Sequence, residues 1–274
     1  MTSVTLTRRN AISVFDGITR ADVASFDIAT AKALWADVGG ATSPSANFLT
    51  QPNGSAKSRK SVLPEYMLYL APHKLASGVN LCKWSTAGCR STCLFTAGRG
   101  GSPTVYNGRM ARTVLMLNHP TAFLALVFND LRKANAKGAA WVRLNGTSDI
   151  PWERLFDGEW VAEFPNLQFA DYTKATAAQR PQPTVAYKLT RSVWAGTHST
   201  SDIAALLANG ERVSMIVADP TAIVHPNAVV ADKTDEWLLR ADGVLGMLAP
   251  KGKLRYSPDN YYANSDALEA LRNI

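Results

Sequence analysis

The chain has 274 residues, 46% hydrophobic and 19% charged, which fits one globular unit with at most a small appendage and excludes wholesale disorder. No run approaches the roughly 20 consecutive apolar residues of a membrane span, and residues 1–10 are polar without the apolar centre of a secretory signal. The expectation is a soluble, cytoplasmic protein with no membrane partner. Its net charge of +7, from 29 Lys+Arg against 22 Asp+Glu, is unevenly spread. Between Glu65 and Arg112 six cations (Lys74, Lys83, Arg90, Arg99, Arg109, Arg112) face one acid, so the segment carries +5. A solvated basic face would explain this, as would a phosphate, carboxylate or nucleic-acid site.

In chain order, residues 18–38 place apolar side chains at helical spacing (Val23, Phe26, Ala31, Leu34, Trp35), with Gly39-Gly40 as a stop. Residues 41–61 are polar and aperiodic, a loop or arm. Glu65 to Ala71 reads as a buried strand stopped by Pro72, followed at once by a segment rich in Gly, Ser and Thr. Residues 109–136 are helical in pattern, broken at Asn118-His119-Pro120, where proline starts a second helix. Six further apolar runs (140–144, 167–170, 184–189, 212–217, 228–230, 243–248) alternate with helix-length segments. That alternation predicts an α/β fold with a parallel sheet. Six to seven strands are too few for a closed eight-stranded barrel. The expected architecture is therefore an open, partial parallel β/α barrel over 65–274, with an N-terminal helical and irregular extension over 1–64.

Several runs end in a polar cluster containing threonine: 145–149, 171–174, 188–191, 219–221 and 232–236. Helix capping by Thr, Ser and Asp accounts for some of these. In a β/α barrel, however, such loops converge on the C-terminal face, where active sites sit.

All three cysteines, Cys82, Cys89 and Cys93, lie within twelve positions, in the loop that would follow the first strand. An odd number suits no complete disulfide scheme, and burial as small hydrophobes would scatter them. Clustered in a loop, they point to metal ligation. Structural zinc takes four protein ligands, usually in paired CxxC-like knuckles, and none of His73, His119, His198 or His225 has ligand-like spacing to another. Three thiolates suit a [4Fe–4S] cluster with one iron left to a non-protein, small-molecule ligand, since fully ligated clusters use four cysteines. The spacing C-x6-C-x3-C matches neither a ferredoxin run nor the C-x3-C-x2-C of radical S-adenosylmethionine enzymes. Around such a site Arg90 and Arg99 could balance a carboxylate or phosphate, and Gly98, Gly100 and Gly101 would admit close backbone approach. Asn145, Asp149 and Asp171 could accept or orient ligand groups, and Lys174, Lys188 and Lys251 could neutralise anions, with Asp232 in the last strand-end cluster. No P-loop, G-x-S-x-G elbow or H-E-x-x-H motif is present, and no histidine pairs with a particular thiol.

The placement of a cysteine loop after the first strand of an open barrel resembles that of radical S-adenosylmethionine enzymes, which implies S-adenosylmethionine as the small ligand and an external electron donor. More closely, the chain resembles the actinobacteriophage gene product 88 family. The resemblance rests on Leu-Ala-Pro72, Asn80-Leu-Cys82, Gly88-Cys89, Cys93-Leu94, Ala97-Gly-Arg-Gly100, Arg109, Arg112, Arg143-Leu-Asn-Gly-Thr-Ser-Asp149, Asp171-Tyr-Thr-Lys174 and Lys251-Gly252. It implies a phage origin, hence the host cytoplasm, and no particular reaction. The alternative is a metal-stabilised nucleic-acid-binding or host-takeover protein, using the basic segment with Trp84, Phe95 and Tyr106 for stacking. On the enzyme reading the three sulfurs converge at the barrel mouth, and Asn145, Asp149, Asp171 and Lys188 line the same cavity.

Overall fold

The computed structural model describes residues 11–55, 57–76, 78–155, 158–183, 187–240 and 242–274; the reading of residues 1–10 and the first three positions of the run 184–189 lie outside them. Seven strands form one sheet: β1 Glu65–Met67, β2 Ala140–Arg143, β3 Leu167–Thr173, β4 Tyr187–Ser192, β5 Arg212–Ile216, β6 Ala228–Val230 and β7 Leu245–Leu248. Every pairing is parallel and the order is β1-β2-β3-β4-β5-β7-β6, a curled half-barrel. The expected open parallel barrel is thus the observed fold. A strand forms at each of the seven apolar runs.

The helices are α1 Arg20–Ser25, α2 Ile28–Asp37, α3 Ala87–Ser91, α4 Pro103–Asn118, α5 Pro120–Ala136, α6 Glu159–Ala162, α7 Thr200–Ala208 and α8 Asn264–Arg272. The single helix expected over 18–38 is two. Phe26 and Asp27 are extended, and the Asp27 carboxylate accepts the Thr30 N–H at 2.7 Å, so a new N-terminus begins there. Pro120 opens α5 as its spacing suggested, and Pro103 starts α4 six residues earlier than the apolar pattern.

Parallel strands alternate their side chains between two layers. The outer set (Tyr66, Leu68, Val142, Leu144, Phe169, Tyr187, Leu189) packs on α4 and α5 through Leu115, Phe123 and Phe128, and α2 joins through Trp35. Val213, Met215, Leu245 and Met247 continue that layer beneath α7 and α8. The inner set is different. Glu65, Met67, Trp141, Arg143, Tyr172, Lys188, Thr190, Ser192, Arg212 and Ser214 take the opposite parity, and only a small apolar cluster around Trp141, Trp237 and Leu238 fills the closed end. The C-terminal end of the concave face stays open.

Candidate functional site

The cysteine loop is built by short-range hydrogen bonds that the local sequence supplies. The Asn80 side chain accepts the Cys82 N–H at 3.0 Å, and Ser85 donates through Oγ to the Cys82 carbonyl at 2.7 Å. Thr86 caps α3 by accepting the Cys89 N–H at 3.0 Å, so Cys89 sits in the first turn of that helix. His73, at φ 54°, turns the chain so that its own N–H points to Cys82 Sγ at 3.3 Å, a contact that favours a thiolate there. Burial nevertheless pushes the free Cys82 thiol up to about 12 and raises Cys89, against which the Lys174 ammonium is the largest opposing influence.

Cys82, Cys89 and Cys93 all border one cavity of about 440 Å³. Cys89 and Cys93 also border a chamber of about 530 Å³ that occupies the open end of the concave face. Its walls include Met67, Tyr69, Arg109, Arg143, Tyr172, Lys174, Ser192, Trp194, Asp235 and Lys251. The two cysteines are thus a shared wall. Gly88 is required where the loop meets the barrel: a Cβ there would stand 2.8 Å from the Trp194 ring and 2.6 Å from Asn260 Oδ1. Lys174, just past β3, lies over the Trp194 ring at 5.0 Å and donates to Ser192 Oγ at 3.0 Å; burial lowers its pKa. Arg90 borders the smaller cavity beside the cysteines.

The expectation that Asn145, Asp149, Asp171 and Lys188 line the cavity with the sulfurs is corrected, because none of the four borders either space. Asp171 lies inside β3 rather than after it, with the parity of the outer layer. Its carboxylate is fully buried, accepts the Asn145 N–H and Nδ2–H at 2.9 and 3.0 Å and the Tyr187 hydroxyl, and burial pushes its pKa up to about 6. Asn145 in turn holds Ile150 through N–H and carbonyl bonds of 2.8 and 2.9 Å. Asp149 receives the Lys174 N–H at 2.9 Å and Arg180 Nη1 at 2.8 Å. These three residues shape the mouth loops from behind. Lys188 is the second residue of β4, four positions before the open end, and donates to the Leu239 carbonyl at 2.6 Å. Asp232 pairs with Lys251 and accepts the Ala249 N–H at 2.7 Å, so it fixes the Lys251 that lines the chamber. Gly98 has φ 54° and borders neither space; the Arg99 side chain lies outside the described residues. A Cβ on Gly100 would meet the Phe95 carbonyl at 2.4 Å, a close approach within the loop itself.

The floor of the chamber is a network that sequence reasoning missed. Arg143 Nη1 meets Asp235 at 2.7 Å and Glu65 at 3.7 Å, and Lys57 meets Asp235 at 2.8 Å. Tyr172 donates to Asp235 at 3.1 Å. Burial raises the Asp235 carboxyl, but Arg143 and Lys57 outweigh it and hold the pKa below the ordinary value. Glu65 is fully buried, among the described residues neither of its oxygens has a hydrogen-bond partner, and burial drives its pKa to about 7. The available signal was parity: Glu65 and Arg143 are charged residues within apolar runs, at positions that alternate with the outer set. Lys57, in an aperiodic arm, carried none.

The basic segment does not form one exposed face. Arg109 is buried, with Cζ at 4.8 Å from the Tyr69 ring centre and 5.0 Å from that of Phe95; Arg112 is half-buried against Trp35 and Phe48. Phe95 is buried too and packs on Tyr106. Among the described residues no helix is long and apolar enough to cross a membrane. Nor, among them, is any group of three or more His, Cys, Asp or Glu drawn together so as to hold a metal ion.

An α/β half-barrel with a three-cysteine loop at its open end and a charged chamber beneath it is the class these observations define. The Gene product 88 family model matches residues 45–264, and the chain belongs to that family of phage proteins. Comparisons with curated proteins and with solved structures return no match.

Proposed function

We propose that Cys82, Cys89 and Cys93 hold one [4Fe–4S] cluster at the mouth of the half-barrel, and that the chamber below is the substrate site of a radical S-adenosylmethionine-like enzyme. The observation that carries this reading is that all three thiols border one space while two of them also wall the chamber. The number of donors favours a cluster over zinc: one structural zinc ion takes four protein ligands, and the thiols bordering this cavity are three. When bound, such a cluster supplies one-electron chemistry to a small molecule at its open iron, with electrons from an external donor.

The chain's own groups have definable tasks. The His73 N–H stabilises the Cys82 thiolate, Lys174 and Arg90 offset charge near Cys89, and burial lowers the pKa of Arg109 while Tyr69 and Cys93 oppose that shift. Trp194 and Lys174 line the chamber beside the loop. S-adenosylmethionine is the proposed ligand of the open iron. Nucleic acid enters only as a weak, nonspecific partner, since Arg109, Arg112 and Phe95 are withdrawn from the surface. Purification without oxygen should yield about four iron and four sulfide per chain, and each single Cys→Ala variant should lose them. One zinc with no iron, or full iron content in any of the three variants, would overturn the reading. Failure of the iron-loaded protein to bind S-adenosylmethionine would remove the enzyme class and leave the cluster.

A further inference from the structure

On the helical side of the sheet lies another cavity, of about 500 Å³, bounded by the α2 end with Gly39-Gly40 and by one face of α4. That face runs from Thr104 and Val105 in the first turn through Gly108 and Arg109 to Arg112. Tyr69 and Arg109 border both this cavity and the chamber, so they form the partition between them.

Its charged lining is two guanidiniums, Arg109 and Arg112, alongside neutral Asn, Thr and Tyr side chains. No Asp or Glu lines it. Arg112 donates to the Phe48 carbonyl at 2.7 Å and the Gly108 carbonyl at 3.0 Å, and Arg109 to the Phe95 carbonyl at 2.8 Å. Among the described residues neither arginine forms a salt bridge. The acid whose charge reaches Arg112, Asp130, is committed to the Phe48 and Leu49 N–H groups at 2.6 and 2.9 Å. Arg109 is 8% exposed, and among the described residues its buried Nε has no partner and neither does the buried Trp35 indole N–H. The first turn of the 16-residue α4 adds backbone N–H groups that lack intrahelical acceptors, at the positive end of the helix dipole.

We propose that this cavity binds a phosphate monoester, with the phosphate between Arg109, Arg112 and the first turn of α4. Two guanidiniums match a group that carries about two negative charges at neutral pH. A carboxylate or a phosphodiester, with one charge, would leave one guanidinium uncompensated. The space exceeds a phosphate, so the remainder of the ester has room. This inference stands apart from the cluster reading, because binding is measured on the full-length protein as isolated, whatever its iron content.

Calorimetry at fixed ionic strength, with a nucleoside monophosphate and a sugar phosphate as alternative monoesters and with a dinucleoside monophosphate (one phosphodiester, no terminal phosphate) and acetate as single-charge controls, tests it. At least one monoester should bind at least tenfold more tightly than either control. Arg112→Gln should weaken that binding at least tenfold. Because Arg112 also packs on Trp35 and Phe48, Thr104→Glu provides an independent variant: Thr104 is exposed, and an acid in a first helical turn favours the helix while repelling the anion. Thr104→Glu should fold normally and lose binding. Equal affinity for monoesters and controls, no saturable monoester binding, or unweakened binding in Thr104→Glu would overturn the proposal.

Discussion

The two faces of the sheet are held by different physics. Outside, Phe123, Leu115 and Phe128 are buried in one apolar layer with strands and helices, where each large side chain removed from water contributes about 1.5–3 kcal/mol. Inside, Glu65, Arg143, Asp235, Lys57 and Tyr172 occupy a buried polar floor in which two carboxylates share one guanidinium. Such pairs recover little more than their own desolvation. The outer layer therefore carries the stability, and the inner face spends some of it to keep charge under the chamber.

The largest effects should come from cutting each layer once. Phe123→Ala should cost about 3–5 kcal/mol by leaving a cavity. Arg143→Ala should cost a similar amount, about 3–5 kcal/mol, by leaving buried carboxylates unpaired. Urea unfolding at several pH values separates them. The loss in Phe123→Ala should not vary with pH, whereas that in Arg143→Ala should shrink as pH falls and Glu65 and Asp235 take up protons. Parallel pH profiles for the two variants would erase the distinction between the layers.

A narrower test concerns Glu65 alone. Its folded pKa of about 7 lies above the ordinary 4.5, so the fold favours the protonated carboxyl. Its contribution is full below about pH 4.5 and is lost as pH rises through about 7, an effect on the order of 3 kcal/mol. Glu65→Gln should remove that slope and be the more stable protein at pH 8. If the variant and the parent show the same profile between pH 4.5 and 7.5, the neutral-acid account of the floor fails.

Smaller effects are expected at the seams. Gly88→Ala forces the loop off Trp194 and should cost about 1–3 kcal/mol through overpacking, together with iron content, read by thermal unfolding and metal analysis. Unchanged stability and iron would show that the loop does not depend on that contact. On the outer layer Ser199 accepts the Asp202 N–H in a capping box at the start of α7. Ser199→Ala should cost about 1 kcal/mol, with no effect on the chamber.

How much of this was legible beforehand divides along the same line. The seven strands showed as apolar runs, because the positions facing the helices are apolar at every second residue and several inner positions are apolar as well. The break at Pro120 showed because proline cannot continue a helix but can begin one. The split at Asp27 did not, since an aspartate at helical spacing reads equally as a solvent-facing residue or a cap. The polar clusters were read as mouth loops, yet β3 runs three residues past its apolar core and β4 extends to Ser192, which placed Asp171 and Lys188 within strands. Polar residues inside a strand look like loop residues until their partners are known. For Asp171 those partners are Asn145 and Tyr187, 26 and 16 positions away.

By itself the sequence determined the class of fold, the loop that bears the three cysteines, and the end of the sheet where that loop emerges, because hydrophobic period and chain order are local properties. Only the tertiary structure decided which charges meet. It brought Lys57 and Asp235, 178 positions apart, onto one floor with Arg143, and turned Arg109 and Arg112 inward from what reads as a basic face. Coulomb and desolvation energies depend on distance through space and on burial, and neither is written in the spacing along the chain.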